Sequence, residues 1–181
     1  PAGTLDENQP QVAADPYGHV YVAWWISQTA SSGGGIYLSY SLNNGLTFSS
    51  PFRVSTSPGQ QPHHFQRSPD LAADDKYLHV VWYSDAEFEF NVHYTRAPVN
   101  ATMTSLSTSN FEEARILNYD TQQDDSDQTH PKIAAAGGNV VVVWNDFRDE
   151  NGFNEYMTDK KFSNNQYTQK MWKTLNDNSS V

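Results

Sequence analysis

The sequence has 181 residues, 11 Lys plus Arg against 21 Asp plus Glu for a formal net charge of −10, 13% aromatic residues and no cysteine. That length is one ordinary domain, and an acidic chain whose densest basic spot is Lys160-Lys161 lacks the clustered cations that nucleic acid or an anionic membrane surface demands. Disulfides, thiolate metal sites and cysteine nucleophiles are excluded, and the longest apolar run, Val140 to Trp144, is far short of the ~20 residues that span a bilayer.

In chain order, the first element is the strand around Pro10-Gln11-Val12-Ala13-Ala14-Asp15. Val20 to Trp24, Ile36 to Tyr40 and Phe52 to Ser55 follow, all rich in branched and aromatic residues. The same series then returns. Pro69-Asp70-Leu71-Ala72-Ala73-Asp74 precedes Leu78 to Trp82, Val92 to Arg96 and Ala114 to Leu117; Pro131-Lys132-Ile133-Ala134-Ala135-Ala136 precedes Val140 to Trp144, Glu155 to Thr158 and Trp172 to Leu175. A period of about 60 residues seen three times is a repeat architecture. Positions 20, 22 and 24 and their equivalents are apolar in every copy and predict a buried face, with Trp24, Trp82 and Trp144 in the core. Ala23, Val81 and Val143 make the other face largely apolar too, which predicts sheets stacked face to face. The paired alanines suit a strand crowded near an axis.

Four short antiparallel strands per repeat make a propeller blade. The predicted fold is therefore an all-β β-propeller with three four-stranded blades, at residues 9–57, 66–118 and 128–176, and almost no helix. The Ser/Thr-rich stretch 97–110 and the polar stretch 120–129 are predicted loops. Three blades do not close a ring, so the chain is expected to be half of a six-bladed propeller, completed by a second copy of itself or by missing blades. A start at Pro1, with no Met and no apolar leader, reads as a mature or excised segment.

Between the third and fourth strands of the first repeat lies Ser41-Leu42-Asn43-Asn44-Gly45-Leu46-Thr47-Phe48. It resembles the Asp-box, Ser-x-Asp-x-Gly-x-Thr-Trp, of sialidase-like (BNR repeat) propellers, with Asn43 at the Asp position and Phe48 at the Trp position. Ser41, Asn43, Gly45, Thr47 and Phe48 are read as structural: Gly45 supplies a positive φ, Asn43 ties back onto the turn amides, and Phe48 packs beneath. Trp144-Asn145-Asp146-Phe147-Arg148 resembles a Trp-x-Asp-x-Arg segment of the same family. The box occurs once, and the family spans hydrolases, receptors and assembly factors, so the resemblance implies a fold and leaves function open.

Propellers place ligands on the face that holds the start of each first strand and the end of each second. The candidate ligand residues there are Trp25, Arg67, Tyr83, Asp85, His130, Asp146 and Arg148. Trp25 and Tyr83 either stack on sugar rings or pack between blades; Arg67 and Arg148 either hold a carboxylate or pair with Asp70 and Asp146. Adjacent His63 and His64 point to opposite sides, which argues against a metal shared with His130. The acidic clusters 124–127 and 146–151 offer oxygen ligands for Ca²⁺ but not the spacing of a calcium loop, so no cofactor is implied. Arg53, Arg115 and Lys173 are read as charges on outer edge strands.

The function expected is an extracellular recognition or structural module that binds glycan or protein on its channel face, with sequons at Asn100 and Asn178 in keeping with a secreted setting. The alternative is a fragment or protomer of a sialidase-type glycoside hydrolase whose other blades carry the missing groups. By resemblance that chemistry takes three arginines, a Tyr nucleophile backed by a Glu, and an Asp acid/base. Only Arg67 and Arg148 fall on the expected face and the family's Arg-Ile-Pro segment is absent, so catalysis is not assembled from these residues alone.

Overall fold

The apolar runs of the repeat become strands that stack as sheets. A computed structural model describes residues 7–27, 34–55, 65–85, 90–118 and 127–146, with the backbone of 169–176. Strands β1 (Glu7–Ala14), β2 (Val20–Ile26), β3 (Gly35–Ser41) and β4 (Phe52–Arg53) form one antiparallel sheet in chain order. The second sheet repeats that order with β5 (Gln66–Ala73), β6 (Tyr77–Ser84), β7 (Asn91–Pro98) and β8 (Arg115–Ile116), and the third holds β9 (Gln128–Ala136), β10 (Asn139–Asp146) and β11 (Gln169–Asn176). Among the described residues the one helical piece is a 3-10 turn, Thr108–Asn110.

Alternation along each strand decides what each sheet buries. Tyr21, Ala23, Ile36 and Leu38 of the first sheet share a core with Leu71, Leu78, Val80 and Trp82 of the second. On the second sheet's other face, Val81, Val92 and Tyr94 meet Val140, Val142 and Trp144 of the third. Trp82 and Trp144 are buried as expected. In the first sheet the expected face is reversed. Tyr21 and Ala23 are fully buried, whereas Val20, Val22 and Trp24 are half-buried, because they lie on the side turned away from the second sheet.

Asp15 and Asp74, which end the first two Pro-x-x-Ala-Ala-Asp copies, close the first hairpin of their sheets. Asp15 Oδ1 accepts the amides of Tyr17 and His19, both at 3.0 Å, while Oδ2 takes the Tyr21 hydroxyl at 2.8 Å and meets His19 Nδ1 at 2.7 Å. Asp74 Oδ1 accepts Lys76 N at 2.8 Å and Tyr77 N at 2.9 Å. Burial pushes the Asp74 carboxyl upward, but these two amides and the His79 ring outweigh it and hold it below the usual carboxylate range. A carboxylate depressed in the folded state contributes stability that is fully present above its unfolded pKa of about 4 and is lost as the pH falls through the folded value. Asp74→Asn is thus expected to lower the urea midpoint at neutral pH, and the gap to the parent is expected to narrow as both are taken through acid.

Several expected details differ. Residues 172–175, read as a fourth strand, belong to β11, which pairs directly with β10 so that Trp144 faces Met171; they are in a third strand, and 155–158 lie outside the described residues. Lys173 stands opposite Val142 on β11, the edge strand of the described third sheet. Arg53 pairs with Tyr37, whereas Arg115 pairs with Tyr94 and Ile116 with His93. Trp24 faces Tyr37 and Trp82 faces His93, so Arg53 and Arg115 are one residue out of step and point to opposite faces. Arg53 turns inward to Ser55 and Gln66, and burial lowers its pKa. Arg115 stays exposed, 4.9 Å from the Tyr94 ring.

The stretch after β7 is a loop with a packing role. Val99 and Leu106 enter the first core, and Thr108 Oγ1 donates to Arg53 O at 2.7 Å, so the loop straps the second sheet to the outer edge of the first. The Ser41 to Phe48 turn has Asn44 and Gly45 at φ 57° and 82°. Asn43 Oδ1 accepts Thr47 N at 2.9 Å and the Ser41 hydroxyl at 2.8 Å, Ser41 Oγ accepts Gly45 N at 2.9 Å, and Asn43 Nδ2 donates to Thr47 Oγ1 at 2.8 Å. Asn43 ties the turn as expected. Phe48, expected to pack beneath, is exposed, and the outer edge is covered instead by Phe111 from the strap, with its ring 6.3 Å from Phe52.

Candidate functional site

All three inner strands carry the same irregularity at the end where ligands were expected. Pairing slips between Asn8 and Gln11 in β1, between Arg67 and Asp70 in β5, and opposite Val143 to Asn145 in β9. At each slip one residue before a proline sits in the left-handed region: Gln9 at φ 51°, Ser68 at 47° and His130 at 52°. Pro10, Pro69 and Pro131 cannot donate to the ladder, and a bulge is where a sheet tolerates that loss. A bulge also re-aims side chains, so three equivalent strand ends turn their residues toward one shared surface.

Gln9, Trp25, Phe65, Arg67 and Ser68 form a cluster across the first two sheets. Trp25 Nε1 donates to Gln9 Oε1 at 3.1 Å, and Ser68 Oγ donates to the same oxygen at 2.8 Å. The Arg67 guanidinium lies 5.3 Å from the Trp25 ring and 4.9 Å from the Phe65 ring, a cation held against two aromatics. Its Nε is buried without a hydrogen-bond partner, and it pairs with no carboxylate among the described residues. The Asp70 pairing weighed for it is not made. Asp70 Oδ2 instead accepts Ile133 N at 2.9 Å and Oδ1 lies 3.6 Å from Lys132 Nζ, tying the second sheet to the third.

The other expected residues divide. His130 is exposed, with Nδ1 3.0 Å from Thr129 Oγ1 and its ring 5.5 Å from Tyr83. Tyr83 itself is buried against Phe90 and His130, so it supports the surface from below and offers no open ring for stacking. Trp25 is half-buried and packs partly into the first core. Asp85 Oδ1 accepts Phe65 N at 2.7 Å, which fixes the end of the β5–β6 pair. Asp146 is fully buried at the end of β10. Arg148, His63 and His64 lie outside the described residues. Phe65 was not anticipated, although it stands two residues before Arg67 and so shares its side of an extended chain. Among the described residues no three His, Asp or Glu side chains group as metal ligands.

No family model matches the sequence, and no curated protein matches it. Among solved structures, the native arabinanase Arb43A of Bacillus subtilis matches with a TM-score of 0.53 at 15% identity, over 96% of this chain and 55% of its own. A mutant levansucrase of B. megaterium matches with a TM-score of 0.50 at 13% identity, over 78% of this chain and 41% of its own. Both are β-propeller glycoside hydrolases. The fold is a β-propeller. Its antiparallel sheets are blades, and the chain spans about half the length of the solved propellers it matches.

Proposed function

We infer that this propeller is a carbohydrate-recognition module that binds its glycan on the channel face, in an extracellular setting. The observation that carries the reading is Arg67, seated between Trp25 and Phe65 with no carboxylate partner among the described residues. Flat aromatics suit the C–H faces of sugar rings. A guanidinium already seated on aromatics suits a planar carboxylate, so sugars that carry one are favoured over neutral sugars. The names of the two solved propellers, an arabinanase and a levansucrase, support a carbohydrate ligand.

Glycoside hydrolysis is the second reading, and it needs two carboxylates placed on either side of the scissile bond. Asp70 and Asp85 hold backbone amides and Asp146 is buried. A hydrolytic pair would draw on groups outside the described residues, which makes binding the better-supported activity. A glycan array with acidic and neutral sugars tests this. Capture of acidic glycans is expected, weakened by about 1 to 2 kcal/mol in Trp25→Ala and stripped of its acidic preference in Arg67→Gln. Asn43→Ala, on the opposite rim, is expected to leave binding unchanged and to lower stability. No capture, or capture indifferent to both channel-face substitutions, overturns the reading, and turnover of fluorogenic glycosides would put the hydrolase in its place.

A further inference from the structure

Among the described residues, blade one and blade three each leave one apolar face without a packed neighbour, and the repeat shows what those faces are built to meet. Each internal interface sets the Tyr21-type face of one blade against the Trp-type face of the next. Val12 pairs with Val22 as Leu71 pairs with Val80 and Ile133 with Val142, so the three inner-strand residues are equivalent. Leu71 is 5% exposed within its interface, whereas Val12 is 68% exposed. At the other end of the chain, Val141 and Val143 are each 38% exposed, although their equivalents His79 and Val81 are buried. The two open faces are thus the two halves of the interface that the chain already makes twice.

A polar clasp rims each internal interface in the same way. Gln66, first in β5, bonds the Ser55 hydroxyl, which also accepts Ile36 N at 3.0 Å; Gln128, first in β9, takes Asn118 Nδ2 at 2.6 Å, while Asn118 Oδ1 accepts Val92 N at 2.6 Å. Glu7, first in β1, stands exposed at the equivalent place on the open face.

We propose that a second copy of this chain closes the ring, with blade three of each copy seated on blade one of the other about a two-fold axis. Six blades then surround one channel, and both channel-face clusters look onto the same opening. The occupant is a second copy because blade one presents the same valine-and-tryptophan face that the exposed side of blade three lacks, and because the contact continues the pattern of two existing interfaces. An apolar surface of this kind in water otherwise invites association without closure.

The test is the solution mass of the 181-residue chain by light scattering coupled to gel filtration, from low to high micromolar concentration. The expected mass is twice the 20.4 kDa of one chain. Val22→Lys and Val143→Glu are each expected to give folded monomers by circular dichroism, and mixing the two variants is expected to restore the dimer, since one cross-copy contact then pairs Lys with Glu and the other is unaltered. A wild-type monomer at every concentration overturns the proposal. Open-ended polymers, or a dimer that survives both substitutions, overturn it as well.

Discussion

Trp82→Ala is expected to destabilise the chain by about 3 to 5 kcal/mol, the range for deleting a large core aromatic. Trp82 is fully buried where blades one and two meet, and its indole stacks on His93 at 5.6 Å with the planes 11° apart. Strands on both sides hold its surroundings, so the cavity cannot collapse, and the buried His93 ring loses its stacking partner. Urea unfolding followed by circular dichroism reads the cost. Trp24→Ala, at the equivalent place in the repeat, is expected to cost less in the single chain because its face is only half covered. Equal costs at the two positions in the monomeric Val143→Glu background would contradict the stacking order described above.

Asp15→Ala is the second large effect, expected at about 3 to 5 kcal/mol by the measure of a buried charged hydrogen-bond partner removed from its network. The carboxylate serves two turn amides, the Tyr21 hydroxyl and the His19 ring at once, and Tyr21 and His19 are themselves buried. Burial first, and then the neighbouring carboxylate, push the Tyr21 phenol well above its usual range, so in the parent it keeps the proton it donates to Asp15. Asp15→Asn keeps an acceptor for the amides and is expected to cost less than the alanine. A loss under about 1 kcal/mol for Asp15→Ala would contradict a hub role for this residue.

Much of the architecture was legible because each blade repeats the same apolar spacing, and side-chain alternation converts that spacing into faces. Which face is buried at the two ends of the chain was not legible. Val20, Val22 and Trp24 carry the same pattern as Leu78, Val80 and Trp82, and only the lack of a sheet packed on that side among the described residues distinguishes them. The last strand was misplaced for a related reason: 155–158 and 172–175 have similar β-forming composition, and pairing register alone decides between them. At the site, Trp25, Arg67 and His130 could be placed from strand ends, but burial of Tyr83 and Asp146 depends on how neighbouring blades pack. Two signals were present and unused. A proline inside each inner strand marks a bulge, and the alternation of Phe65 with Arg67 marks a shared side.

The measurement that tests channel-face recognition most directly is a nitrogen-15 correlation spectrum of the protein titrated with the acidic oligosaccharide that an array captures best. The Trp25 indole N–H, bonded to Gln9, the Arg67 side-chain signal, and the backbone amides of Phe65, Ser68 and His130 are predicted to shift together and saturate at one concentration, while the amides of Asn43 and Gly45 stay in place. Shifts that gather on the Ser41 to Phe48 turn, or a spectrum unchanged at saturating sugar, would contradict the account.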